Sequence, residues 1–227
     1  MSQTHIPRSS LQHEVTNRLR FELVEGHWRP GTRLQERALC ERYGISRSPL
    51  REAFQILATE GLIDITLNKG AIVSAPTVER VLQNFIVLRA LESLAVQLAS
   101  RHASDEAIAG IGAANQQMNA FAASGDMQDF FRANNEVHRL IVLASGNKPL
   151  ADMHLVTSRQ IIRVQNLDGP TEHIASEGVG EHDEFIAALE ARDAARAEAL
   201  FAVHMKSVED NLRARLRQWP REETRGA

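Results

Sequence analysis

Two groups of residues have types and spacings that can do chemistry. The first lies in residues 42–54, RYGISRSPLREAF, where Arg47 and Arg51 stand one helical turn apart just after Gly44 and Ser46. An arginine guanidinium is a planar fork of N–H donors that grips phosphate oxygens or the O6/N7 edge of guanine, while serine hydroxyls and exposed helix-start amides bind phosphate. The second group is a set of histidines in the C-terminal half. His138 follows Asn134 by four residues, so the two share a helix face. His182 belongs to the stripe His182, Phe185, Ile186, Leu189, and His204 to the stripe Leu200, His204, Val208, Leu212, Leu216. Each of these two therefore points where its helix buries apolar side chains. Imidazole is the commonest side-chain ligand of first-row divalent ions, and helical bundles hold such ions between facing helices. Three nitrogens plus one oxygen leave positions open for water or an acidic ligand.

Both groups also have plain structural explanations. Exposed arginines pair with neighbouring acids such as Glu41 or Glu52 at little energetic consequence. A neutral histidine is tolerated in a core when both ring nitrogens find partners. His5, His13, His27, His102 and His173 have no companion pattern and take that plain reading. The elements that carry the two groups decide between the explanations.

Residues 9–25 place Leu11, Val15, Leu19 and Leu23 at helical spacing, with Ser9 or Ser10 as a cap, before GHWRPG breaks the helix. Residues 33–43 read as a short second helix ended by Gly44. A third starts at Ser46, tolerates Pro49 in its first turn and turns Leu50, Phe54 and Leu57 inward. LIDIT and AIVSA then alternate in polarity around Asn68-Lys69-Gly70, which reads as a β-hairpin. Three helices and a hairpin in that order make a winged helix-turn-helix, whose recognition helix enters the major groove by its N-terminal end. That end carries Ser46, Arg47, Ser48 and Arg51. Arg37 on the preceding helix reaches the same groove or its phosphate edge, and Lys69 and Gly70 sit at the wing tip.

Pro76 marks a junction, dividing a DNA-binding segment 1–76 from a helical segment 77–227. The latter reads as six helices, at about 78–101, 104–123, 127–145, 148–166, 177–191 and 193–217, forming an all-helical bundle in a mainly α chain. Charge follows the same division: ten Lys/Arg against eight Asp/Glu in 1–76, then sixteen against twenty-one. Five of those arginines fall between residues 33 and 51, a basic excess suited to a polyanion. The single cysteine, Cys40, excludes an internal disulfide and a Cys-rich zinc module. No signal-peptide pattern and no bilayer-length apolar run stand out, so the expectation is a soluble cytoplasmic protein with no membrane association.

The stretch PGTRLQERALCERYGISRSPLREAFQILATEGLI, followed by NKGAIVS, resembles the winged helix-turn-helix of the GntR family over about residues 11–75. The resemblance implies DNA-contact roles for Arg37, Arg47 and Arg51, with Ser46, Ser48 and Gly70 in support. NNEVHRLIVLASGN and EHDEFIAALEARDAARAEALFAVH resemble the FCD effector domain of the FadR subfamily within that family, over about 80–215. This second resemblance implies that Asn134, His138, His182 and His204 hold a divalent metal ion, zinc or nickel. Asn134 stands where Asp is also frequent, and an amide coordinates without adding negative charge. Val137 replaces a common Phe. Arg89 and Glu92, in VLRALES, match another recurrent pattern, with Arg89 either meeting a carboxylate effector or pairing with a neighbouring acid. The function implied is a homodimeric, ligand-responsive regulator on a two-fold operator in double-stranded DNA, a repressor released by a small organic acid. The rival is a metal-dependent enzyme in the bundle with a DNA-binding appendage. Asp152 and Glu181 are its nearby acids, but no catalytic motif accompanies them. A third possibility is a purely structural ion or a sensor of the metal itself.

Overall fold

The computed structural model describes residues 8–67, 70–168 and 172–217. The described backbone divides into two compact units, one covering residues 8–77 together with 159–168, the other covering 78–158 and 172–217. In the first unit α1 (Arg8–Val24), α2 (Glu36–Tyr43) and α3 (Arg47–Thr59) precede a small antiparallel sheet. Its strands are β1 (Arg33–Leu34), β2 (Ile63–Thr66) and β3 (Gly70–Val73), in the order β1-β3-β2. Arg33 and Leu34 were expected to open the second helix; instead they pair with Ile72 and Ala71. Two backbone bonds just before them hold them there, from Gly31 N–H to the Val73 carbonyl and from Val73 N–H to the Thr32 carbonyl. The helix therefore begins only after Gln35. The first helix likewise starts at Arg8, ahead of its expected caps.

Gly44 takes a left-handed conformation (φ 64°) that closes α2 through its N–H to the Cys40 carbonyl. Only glycine does this freely, and it lets α3 begin after Ile45 and Ser46. The inward residues of α3, Leu50, Phe54 and Leu57, are fully or nearly fully buried against Leu19, Leu23, Leu39 and Ile63. The end of α7 (Lys148–Asp168) joins this unit through polar groups. Gln160 donates to the Glu60 carbonyl and Asn166 to the Val24 carbonyl. Arg163, wholly buried, donates to the hydroxyl and the carbonyl of Ser74.

The second unit consists of α4 (Val78–His102), α5 (Asp105–Ser124), α6 (Met127–Ala144), the start of α7, α8 (Glu172–Glu190) and α9 (Ala194–Arg217). Ser104 caps α5 by accepting from Ala107 N–H, Asp126 caps α6 through Asp129 N–H, and the Asn147 side chain accepts from Leu150 N–H at the start of α7. α4 packs on α6 and α9, α5 on α6 and α8, and α8 on α9. Contrary to the sequence expectation, α4 is long and apolar enough to cross a membrane. One face of it, with Val81, Phe85, Leu88, Ala95 and Ala99, is core and is interrupted by a buried acid, Glu92, while Ile86, Val87 and Leu94 stay exposed.

Candidate functional site

Three helices of the bundle bring His138 (α6), His182 (α8) and His204 (α9) together. Their ligand atoms all lie within 4.8 Å of one another, with ring centroids 4.5–5.4 Å apart. All three rings are buried, His182 completely. The same stripes that bury Phe185 and Phe201 carry them inward, and those phenyl rings wall the cluster, Phe185 4.9 Å from His182 and Phe201 5.9 Å from His204.

Two carboxylates reach the outer edges of the rings. Glu92, 4% exposed, accepts from His138 Nδ1 at 3.1 Å and from His154 Nε2 at 2.8 Å. Burial opposes ionisation of Glu92, but the attraction of His138 and the hydrogen bonds from both imidazoles outweigh it and bring the carboxyl down to about 2. Glu181 accepts from His204 Nδ1 at 2.9 Å and from the Ser207 hydroxyl. Burial, reinforced by the neighbouring His204 and His138, holds His182 well below the usual histidine range. Burial is also the main reason His204 is lowered. These rings are kept neutral, with lone pairs available.

Both nitrogens of His182 and Nε2 of His204 are buried without a hydrogen-bond partner. Buried polar atoms normally have partners, and an orphan costs about 1–3 kcal/mol. One ring nitrogen from each of the three histidines, all within 4.8 Å of one another, suits a divalent cation with metal–nitrogen bonds of about 2.0–2.1 Å, and such an ion would also give His182 and Nε2 of His204 the partner they lack. His138, His182 and His204 are the residues that would hold it, and the ion would supply a positive anchor for an oxygen ligand. Asn134 stands one turn before His138, partly buried.

His154 had no sequence reading, although Leu150, His154 and Ile161 form a buried helical stripe of the kind that exposed the others. Glu92 was noticed without a role, and Glu181 only as an acid near the site. Arg89 donates to Glu209 at 2.9 Å, and Glu209 also accepts from Arg213.

In the first unit, Ser46 is the N-cap of α3 in extended conformation, yet its side chain makes no cap bond. Ser46, Arg47 and Ser48 are exposed. The Ser48 hydroxyl donates to Glu52, Arg51 makes a bidentate pair with Glu36 at 2.9–3.1 Å, and Arg37 pairs with Glu41 at 3.0 Å. Gly70 opens β3 in a left-handed conformation (φ 77°) and is exposed. Lys69 lies outside the described residues.

Comparison with known proteins fits this architecture. Residues 11–73 match the gntR family of bacterial regulatory proteins, and residues 85–207, over half the chain, match the FCD domain. The uncharacterized HTH-type transcriptional regulator YdhC of Bacillus subtilis is 28% identical over 169 residues, covering 73% of this chain and 75% of that one. The HTH-type transcriptional repressor RspR of Escherichia coli is 24% identical over 211 residues, 91% of each chain. The solved structure of E. coli McbR/YncC superposes with a TM-score of 0.76 over 92% of this chain and 99% of that one, at 21% identity, a likeness of fold. The chain therefore belongs to the GntR family, with an FCD domain following its winged helix-turn-helix, and is a transcriptional regulator, not an enzyme.

Proposed function

We propose that the chain is a repressor that binds an operator as a homodimer and is released by a small carboxylate taken up beside a divalent metal ion in the bundle. The observation that carries the effector half is the convergence of three buried histidines, two of which, His182 and His204, have unpartnered ring nitrogens. A metal held by neutral imidazoles keeps its full charge, and an acidic ligand completes its coordination more favourably than water does. Arg89, one turn before Glu92 on α4, is the second cation offered to such an acid, which would displace Glu209 from it.

For the DNA half, the unbonded Ser46 hydroxyl and the exposed Arg47 support entry of α3 into the major groove, with Ser48, Arg51 and Arg37 at its flanks. Gly70 and Lys69 belong to the wing. Homodimerisation is supported by apolar residues that α4 leaves exposed, Ile86, Val87 and Leu94. Repression agrees with the name of RspR. Work on bacterial DNA implies the cytoplasm.

The test is the anisotropy of a labelled genomic operator fragment titrated with protein, in zinc or nickel and in chelator, against a panel of small carboxylates. One acid is expected to release the DNA only in the metal-loaded protein. Release unchanged in chelator would overturn the metal's role, and tighter binding with the acid would reverse the sign.

A further inference from the structure

We infer that Glu92 and Glu181 are positioning residues for the metal site, each fixing the tautomer of one ligand histidine so that its Nε2 is the atom presented to the ion. The inference rests on the metal reading above and adds residues to it. A carboxylate oxygen only accepts, so the ring nitrogen facing it carries the proton. Glu92 Oε2 faces Nδ1 of His138 at 3.1 Å, and Glu181 Oε2 faces Nδ1 of His204 at 2.9 Å. In a neutral imidazole the other nitrogen then bears the lone pair. For His204 that nitrogen, Nε2, is the buried atom without a partner.

The two carboxylates are held in turn. The second oxygen of Glu92 accepts from His154 Nε2 at 2.8 Å, so α7 fixes the carboxylate that fixes His138. Ser207, on the same helix as His204, donates to the second oxygen of Glu181. Both rings are therefore oriented by a carboxylate that cannot rotate without losing another bond. His182 has no such support at either nitrogen and is wedged by packing alone. Outer-shell partners of this kind commonly change metal affinity by about 10–100-fold.

The experiment has two readouts on the full-length chain. In metal-free protein, ¹⁵N NMR of the imidazoles reports tautomers directly; the expected result is Nδ1–H for His138 and His204, and Nε2–H at either would overturn the inference. In the second, zinc affinity is measured by competition with a chromophoric chelator for wild type, Glu92→Gln and Glu181→Gln. Each variant is expected to keep the wild-type stoichiometry and circular dichroism and to bind about 10–100-fold more weakly. Wild-type affinity in both variants would overturn the inference. Glu181 is the more exposed of the two, so its variant carries the affinity test should Glu92→Gln unfold. Failure of wild type to bind zinc or nickel would instead refute the metal reading, leaving the tautomers to judge the positioning.

Discussion

His182 is the residue at which the metal reading and the core-histidine reading give opposite answers. Its ring is completely buried and neither nitrogen has a partner. Without metal, such a ring destabilises the fold by about 1–3 kcal/mol relative to an apolar side chain. Leucine has a similar volume, and the change of shape costs less than about 1.5 kcal/mol. His182→Leu is therefore expected to raise stability in EDTA by roughly 1 kcal/mol, or about 2–4 °C in Tm for a chain of this size. Zinc at about 100 times its Kd adds about 2.7 kcal/mol to wild type. The variant gains nothing, so the order of the two melting curves inverts on adding metal.

His138 supplies the contrast. Its Nδ1 bonds a buried carboxylate, so His138→Leu leaves Glu92 with His154 alone. That removal is expected to cost at least about 2 kcal/mol in EDTA. Two histidines of one cluster should thus respond with opposite signs in the metal-free protein. The assay is thermal or urea unfolding followed by circular dichroism, in EDTA and in zinc. A loss of 2 kcal/mol or more for His182→Leu in EDTA, or an equal zinc gain in variant and wild type, would refute the reasoning.

Other consequences are more local. Arg47→Ala is expected to weaken operator binding by about 1–3 kcal/mol while random duplex loses less, as read by anisotropy at fixed salt; an equal loss on both would make Arg47 a phosphate contact. Glu36→Gln is expected to strengthen operator binding, because Arg51 is then released from its bidentate pair. Tyr43 is the only tyrosine, and burial first, with the charge of Glu22 second, pushes its phenol up to about 12. The 295 nm absorbance step should therefore come near pH 12 and not near 10, and Glu22→Gln should lower it. Because the folded value is the higher one, Tyr43's contribution is intact below about pH 10 and is lost as pH rises toward 12. Arg163→Ala, which leaves the Ser74 hydroxyl and carbonyl without their donor, is expected to destabilise the N-terminal unit by about 2–4 kcal/mol, seen as faster amide exchange in α3 and β3.

Helical stripes made much of the molecule readable. Leu50, Phe54 and Leu57 face inward as their spacing requires, as do His182, Phe185, Ile186 and Leu189. Leu11, by contrast, remains 38% exposed at the start of its stripe, where the fold has no core to receive it. What escaped the sequence is held by the backbone. β1 has only two residues, too few to alternate, and is fixed by its ladder to β3. The end of α7 joins the N-terminal unit because Gln160, Arg163 and Asn166 donate to carbonyls of Glu60, Ser74 and Val24. A carbonyl is the same whatever the side chain, so such recognition leaves no pattern to read. His154 was overlooked for a different reason: its stripe was legible, but its partner Glu92 lies 62 residues away on another helix.

The arginines show why a salt bridge and an anion site are not competing explanations. Arg51 is held by Glu36, Arg37 by Glu41 and Arg89 by Glu209, which is what the plain structural reading of each anticipates. Yet an exposed pair contributes little, because water solvates both ions nearly as well and ordering two long side chains costs entropy. A phosphate or an effector carboxylate presents the same fork-shaped target as a glutamate and arrives with further contacts. The exchange of one carboxylate for another anion is therefore nearly balanced locally, and the rest of the ligand decides it. It follows that the presence of these pairs in the free chain cannot discriminate between the two explanations. Arg47 can: it is exposed at the first turn of α3, and among the described residues no acid holds it. A guanidinium kept at a helix start without a carboxylate partner gains nothing for the free fold, so its effect on operator binding tests the interface more sharply than that of its paired neighbours.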